Sequence, residues 1–236
     1  MECELALGVE SRFELKGAIL VYAAGHLASG AFASWHEAHG TPDRAPHLGA
    51  ATPLSTNFLR ELARGLGAQT KPEILPDNVL VRTPDTLIWW TPPARRRMFF
   101  RHDDPLAAVS GRTFPQPALL FKVTRTELRL RAFSTNKRPT ATTRLMIAPY
   151  YNVNIEGAVC QGSMRSPTDV TVAAIPQWEN AFFDSEFTHL YGAGNFTRHP
   201  GGLISLWTNL ANATRFPTTT LVPTNETLAQ FAERDQ

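Results

Sequence analysis

Cysteine is scarce in this sequence, which has only Cys3 and Cys160 among its 236 residues. Two cysteines in a chain of this length do not make the disulfide framework of a small secreted domain, and they are too few for a zinc site built on thiolates. The chain has enough hydrophobic residues, 43%, to form a sizeable core without such supports. We therefore predict a protein of the reducing cytoplasm that holds no metal and no cofactor.

Long apolar runs and a large charge of one sign are also missing. The apolar stretch at 17–25 is far too short to span a bilayer and follows no basic leader. The formal net charge of +2 argues against a protein that binds nucleic acid mainly by electrostatic attraction. No P-loop and no dinucleotide-binding fingerprint is found. The sequence thus predicts a soluble globular protein with no membrane partner, and it disfavours a nucleic-acid partner.

The alternation of apolar and polar residues predicts an α+β fold around a four-stranded antiparallel meander. Short turns separate the first two and the last two of its strand candidates, which cover residues 79–83, 86–91, 118–124 and 127–133. In the last of them, Leu128 and Leu130 alternate with Arg129 and Arg131. We therefore expect one face of this strand to be buried and the other to meet solvent.

Helices are predicted to flank the meander. The clearest runs from Ser55 to Leu66, because Ser55 can cap it, apolar residues recur at helical spacing and Gly67 stops it. Later helices are predicted at 176–189, 202–213 and 225–235. Near the N-terminus we expect an added hairpin of strands 3–9 and 17–24, then a strand or a short helix within 26–40, and a loop over 41–53.

Two histidines, His36 and His39, lie in the segment whose structure is ambiguous. On a helix, side chains three residues apart share a face and could bind a metal ion. Glu37 between them does not complete a zinc-protease motif, since the histidines are one residue too close together. We favour a pair of surface histidines over a metal site.

The segment between the two hairpins of the meander combines tryptophan with arginine. Trp89 and Trp90 lie near the end of the second strand, and Arg95, Arg96 and Arg97 follow after four intervening residues. The first interpretation is structural, with aromatic side chains in the sheet and arginines on an exposed turn. The second is a docking surface for a protein partner, because tryptophan and arginine are common interface anchors. The third is nucleic-acid binding.

Cys160 ends a loop whose composition suits an exposed nucleophile. Pro149 blocks helix continuation, Asn152 and Asn154 tolerate turns, and Gly157 permits a backbone conformation closed to other residues. A lone cysteine is usually a small buried hydrophobe. A thiolate at the end of such a loop is suited to attack a carbonyl or thioester, and an asparagine amide can donate a hydrogen bond to the developing oxyanion.

The spacing in this loop resembles the active-site flap of ubiquitin-conjugating enzymes. That family has a His-Pro-Asn triplet, an aliphatic residue, often a second Asn, then a glycine, a small residue, another aliphatic residue and the acceptor cysteine. The positions that match are Asn152, Val153, Asn154, Gly157, Val159 and Cys160. Tyr150 and Tyr151 stand where the family has His and Pro, and Gln161-Gly162-Ser163 replaces its usual Leu-Asp. The resemblance implies a thioester on Cys160 and a flap shaped by Tyr150, Tyr151, Asn154 and Gly157.

Two longer segments, 87–100 and 149–163, resemble the protein B family of the bacterial PRTRC (ParB-related, ThiF-related cassette) system. That family is grouped with a prokaryotic branch, family D, of the ubiquitin-conjugating superfamily. The resemblance implies three partners in a plasmid-associated cassette: a ThiF-like adenylating enzyme, a small ubiquitin-like protein and a JAB-type peptidase. It also implies an N-terminal extension over 1–45, a conjugating-enzyme-like core over 46–200 and a C-terminal helical segment over 201–236.

The implied reaction is transthiolation followed by transfer of the acyl group to an amine. Cys160 would be the acyl carrier, Asn152 would stabilise the oxyanion or order the loop, and Asp169 would help to deprotonate an incoming lysine. Three alternatives stay open. They are a non-catalytic scaffold that binds a ubiquitin-like protein, a plasmid-maintenance factor that touches DNA through Arg95–Arg97, and a Cys-His hydrolase in which His189 is the base.

Overall fold

A computed structural model of the protein describes residues 15–23, 31–40, 47–66 and 73–234. The chain forms two compact units, Met1–Pro72 and Glu73–Gln236. The three-segment division implied by the family resemblance, 1–45, 46–200 and 201–236, stays a prediction. The strand predicted at 3–9 lies outside the described residues.

In the described residues of the first unit, the chain forms a three-stranded antiparallel sheet and one helix. Its elements are β1 (Gly17–Ala23), β2 (Ala31–His39), β3 (His47–Pro53) and α1 (Thr56–Gly65). The order in the sheet is β1-β2-β3. The capping side chain of Ser55 accepts a hydrogen bond from the Phe58 amide, as the sequence predicted. The rings of Trp35 and Phe58, 4.9 Å apart, join the sheet to the helix.

Of the two alternatives for residues 26–40, the strand is confirmed over residues 31–39. The loop predicted over 41–53 is wrong for residues 47–53, which pair with β2. On a strand, residues three apart point to opposite faces, so His36 and His39 do not share a site. The ring of His36 hydrogen-bonds the Ser34 hydroxyl and the Gly49 carbonyl. Within the described ranges, no group of three or more potential ligands is placed to hold a metal ion.

The second unit is built on a six-stranded antiparallel sheet. Its elements are β4 (Val79–Arg82), β5 (Thr86–Thr91), β6 (Arg95–Arg97), β7 (Phe99–Phe100), β8 (Thr113–Pro115), β9 (Ala118–Thr124), β10 (Leu128–Phe133), β11 (Arg144–Met146), α2 (Ile175–Phe183), β12 (Glu186–Phe187), α3 (Gly202–Leu210), β13 (Pro223–Thr227) and α4 (Leu228–Glu233). The sheet has the order β13-β11-β10-β9-β5-β4. The predicted meander is confirmed as β4-β5-β9-β10, and β11 and β13 extend it. The described chain is therefore a mixed α+β protein, with four helices in the part that the structure describes.

Both faces of the meander are covered. Trp89 and Phe121, whose rings stack 5.0 Å apart, face the larger cluster, which also holds the apolar faces of α2 and α3. Ile88 and Leu120 point the other way and pack with Phe231 of α4. Strands covered on both sides carry apolar residues almost continuously, which explains the apolar runs of β5 and β9, interrupted in β9 by Lys122.

The predicted ends of two helices are wrong because pairing partners intervene. Helix α2 ends at Phe183 rather than near His189, since Glu186–Phe187 pair in parallel with Phe99–Phe100. The last helix begins at Leu228, and the residues before it form β13 beside β11. Thr227 and Gln230 form its capping box. No helix in the described ranges is long and apolar enough to cross a membrane.

Candidate functional site

The cysteine loop, residues 150–163, is called the flap below, and it pairs with the first half of β10. The Leu130 amide donates to the Gly157 carbonyl over 2.8 Å, and the Val159 amide donates to the Leu128 carbonyl over 3.0 Å. Within the flap, the Cys160 amide donates to the Asn152 carbonyl over 2.7 Å. Cys160 is partly exposed. The sheet therefore holds the backbone around Cys160, and the residue is only partly covered.

Asn152 ties the flap to the chain that follows α2. Its side-chain Nδ2 donates to the Glu186 carbonyl over 2.8 Å, and its Oδ1 accepts from the amide and hydroxyl of Thr188. The residue is 4% exposed and has φ = 60°, the only positive φ of a non-glycine residue in the described chain. Asparagine tolerates this conformation better than most residues. Both ends of its amide are thus bonded within the fold, which favours the role of ordering the loop.

Asn154 and Gly157 close the turn of the flap. The side-chain Oδ1 of Asn154 accepts from the amides of Glu156 and Ala158. Gly157 has φ = 90°, and a Cβ atom there would lie 2.5 Å from the Leu130 carbonyl oxygen. Only glycine fits this position without moving the flap away from β10.

Replacing Gly157 with alanine is expected to lower the free energy of unfolding by about 1–3 kcal/mol, because the new methyl group strains the backbone and displaces the bond to Leu130. Gly162→Ala is the matched control in the same loop. Gly162 also has a positive φ, 45°, but its nearest neighbour would lie 4.0 Å from the added Cβ. Urea unfolding of both variants measures the difference. If both variants lost the same free energy of unfolding, the close contact between Gly157 and the Leu130 carbonyl would contribute nothing to stability.

Two arginines and one glutamate form a hydrogen-bonded group at the turn of the flap. We call these residues, Arg131, Glu226 and Arg234, the clamp. Arg131 donates to the Ile155 carbonyl over 2.7 Å, and Arg234 donates to the Glu156 carbonyl over 3.2 Å. Both guanidiniums also bond the Glu226 carboxylate, over 2.9 and 2.8 Å. Burial lowers the pKa of Arg131, and the charge of Glu226 opposes that shift.

The clamp corrects the prediction that one face of strand 127–133 meets solvent. Arg131 is 2% exposed and Arg129 is half-buried. An arginine at a buried sheet position requires a paired anion. Arginines that alternate with apolar residues in a strand are the one sequence signal for a buried arginine. They do not reveal that its paired anion is Glu226, which lies far from Arg131 in the sequence.

The two tyrosines that precede Asn152 face inward. The Tyr150 hydroxyl donates to the Gln116 side chain over 2.6 Å, and its ring packs against Phe182 and Trp207. Tyr151 is 3% exposed and meets Phe100 edge-on. Burial raises the pKa of Tyr150 well above its ordinary value and that of Tyr151 to about 12. Both phenols are therefore neutral packing residues that fix the base of the flap.

A cleft of about 770 Å³ is lined in part by Ser163, which follows Cys160 by three residues in the chain. Ser163 lies on its wall and accepts a hydrogen bond from the Glu186 amide. Its charged lining residues are Arg165, Asp184 and Glu186. Asp169 is exposed and is not among the residues that line the cleft. Asp169 was predicted to deprotonate an incoming lysine because it lies near Cys160 in the sequence. The carboxylates that line this cleft in the folded chain are those of Asp184 and Glu186.

His189 lies beside the flap without reaching the thiol. Its carbonyl accepts from the Asn152 amide, and its exposed ring bonds the Thr188 hydroxyl over 2.8 Å. In the described part of the chain, no hydrogen bond joins this ring to Cys160. The geometry thus gives no support to a Cys-His pair.

The predicted docking residues divide into buried and exposed positions. Trp89 is fully buried, and its indole donates to Glu179, so it presents no side chain to a partner, which corrects its assignment to a docking surface. Arg96 bonds the same carboxylate over 2.6 Å; burial raises the pKa of Glu179, and Arg96 opposes the shift. Trp90 is half-buried against Phe133. Only Arg95 and Arg97 are exposed.

One comparison with known proteins gives a match. A protein-family model described as Prokaryotic E2 family D matches residues 57–224. The matched range includes the whole meander, the flap, α2 and α3. Comparisons with the curated proteins and with the solved structures gave no match.

Proposed function

Since the chain belongs to prokaryotic E2 family D, a bacterial family of proteins similar to ubiquitin-conjugating enzymes, we propose that it carries a ubiquitin-like protein as a thioester on Cys160. The family implies a role in ubiquitin-like conjugation and an E2-like fold. The observation that carries the finer proposal is the flap, which holds a partly exposed cysteine on a backbone bonded to β10, Asn152 and the clamp.

The proposed reaction has two acyl transfers. The Cys160 thiolate attacks the thioester carbonyl of the charged adenylating enzyme, a new carbon–sulfur bond forms, and the thiolate of that enzyme leaves. An acceptor amine then attacks the Cys160 thioester, loses a proton and releases the Cys160 thiolate, which leaves an amide. No oxidant or reductant is needed. Asn152 contributes by ordering the flap, because its amide is bonded to Glu186 and Thr188.

The acceptor amine is proposed to approach through the cleft beside Ser163. Its carboxylates, Asp184 and Glu186, attract an ammonium group. The amine must lose its proton before it attacks, and a nearby carboxylate can accept that proton. Asp169 stays a second candidate for this role.

The proposed partners rest on the sequence resemblance together with the family. They are a ThiF-like adenylating enzyme, a small ubiquitin-like protein and, for removal of the modifier, a JAB-type peptidase of a PRTRC cassette. The test of the function is formation of an adduct between the protein and the ubiquitin-like protein that depends on ATP and is cleaved by a thiol reductant.

Replacing Asn152 with alanine is expected to lower the free energy of unfolding by about 1–3 kcal/mol, because buried partners lose their hydrogen bonds. Thr188→Val removes only the hydroxyl that donates to the same Oδ1 and is expected to cost less. Urea denaturation compares the two variants. If Asn152→Ala left the unfolding free energy unchanged but slowed adduct formation, Asn152 would act on the oxyanion instead.

A further inference from the structure

A second cleft, of about 610 Å³, is lined by no residue of the flap and has no role in the proposed transfer reaction. We call it the arginine–proline cleft, because the residues that line it include Pro93, Arg95, Pro115, Pro117, Arg215 and Phe216. Proline restricts the backbone and offers no N–H group, so the three prolines and Phe216 make stiff, apolar parts of the wall, and the polar side chains of Gln116, Asn136, Thr214 and Thr218 complete it. The volume lies in the range of ordinary ligand sites.

The charge of this cleft is of one sign. Arg95 and Arg215 line it, and none of the described residues along its wall is acidic. Arg95 donates to the carbonyls of Ala213 and Thr113, which fixes the guanidinium without neutralising it. Arg215 is exposed and makes no hydrogen bond or ion pair with any residue in the described ranges. Two guanidiniums without a paired carboxylate therefore stand beside the prolines and Phe216.

We propose that the arginine–proline cleft binds an acidic peptide segment of a protein partner. The planar fork of a guanidinium matches a carboxylate. The prolines and Phe216 can bury apolar side chains next to that carboxylate, and interfaces combine these two features. Nucleic acid fits less well, because single strands require an extended basic groove with stacking aromatics, and the net charge is only +2.

The floor of the cleft is connected to the flap. Gln116 lines the cleft and is 2% exposed. Its Nε2 donates to the Phe114 carbonyl, and its Oε1 accepts from the Tyr150 hydroxyl at the base of the flap. A peptide seated here thus rests on a residue that is bonded to the flap. The proposal does not depend on thioester chemistry at Cys160.

The test is fluorescence anisotropy of a fluorescein-labelled peptide Glu-Leu-Glu-Leu-Glu titrated with the full chain. We expect saturable binding that weakens with salt, and roughly tenfold weaker binding with Arg215→Gln, because one charge-assisted contact is lost. Arg215 has no partner among the described residues, so its replacement should leave the melting temperature unchanged. Arg97→Gln is the matched control, since Arg97 is exposed on the same strand as Arg95 but does not line the cleft.

The outcomes separate the proposal from its rivals. No saturable binding at millimolar protein, or equal binding of Gln-Leu-Gln-Leu-Gln, would overturn it. An equal loss with Arg97→Gln would show attraction to the surface charge in general. Tighter binding of a fluorescein-labelled oligothymidine, lost with Arg215→Gln, would assign the cleft to nucleic acid. Since no adduct is measured, failure here would leave the proposed function of Cys160 untouched.

Discussion

Replacing Cys160 with alanine is expected to abolish the thiol-sensitive adduct with the ubiquitin-like protein. The purified chain is mixed with its ThiF-like adenylating enzyme, the ubiquitin-like protein and ATP, and the products are separated on a non-reducing gel. Without the sulfur no thioester can form, so the loss should be complete rather than partial. Cys160→Ser should give an oxygen ester that survives the reductant, which identifies the chemistry of the bond.

The matched control for this experiment is Cys3→Ala, which removes the other cysteine of the chain. This variant should form the adduct as the natural chain does. An adduct that persists in Cys160→Ala and disappears in Cys3→Ala would place the acyl group on Cys3. If the adenylating enzyme is shown to be charged and the natural chain still forms no adduct, the function changes to a scaffold that binds the ubiquitin-like protein without carrying it.

Replacing Glu226 with glutamine is expected to lower the free energy of unfolding by about 3–5 kcal/mol, the cost of leaving a buried charge without its partner. The Arg131 side chain is only 3% exposed and would keep its positive charge. Arg131 and Arg234 also hold the carbonyls of Ile155 and Glu156, so the turn of the flap should loosen as well. Urea unfolding at neutral pH measures the first effect, and the yield of adduct measures the second.

Asp85→Asn provides the control for the clamp. Asp85 pairs with Arg125, but these side chains are 61% and 76% exposed. An exposed pair contributes about 0–1 kcal/mol, so this variant should unfold almost as the natural chain does. If Glu226→Gln lowered the free energy of unfolding no more than Asp85→Asn does, the clamp would contribute no more than an exposed ion pair. The inference that the clamp stabilises the flap would then be wrong.

Local sequence patterns do not show which arginine is buried. Arg125 lies beside a turn and Arg131 lies in a strand whose alternation predicts that the arginines meet solvent, so neither context indicates a buried ion pair. Their surroundings differ because Glu226, on the added strand β13, reaches Arg131 across the sheet. The same holds for Trp89 and Arg96, which converge on Glu179 of α2. These pairings join residues far apart in the chain, and local spacing carries no signal for them.

The sequence by itself determined the four strands of the meander, the capped helix α1 and the spacing that identifies the cysteine flap. Each depends on short-range periodicity, on a cap or on a turn residue that a few neighbouring positions specify. Tertiary structure alone decided the strands β3, β12 and β13, since a short strand forms only when a partner edge accepts its hydrogen bonds. It also decided which charges are buried, because an ion pair in a core depends on both partners arriving at one place.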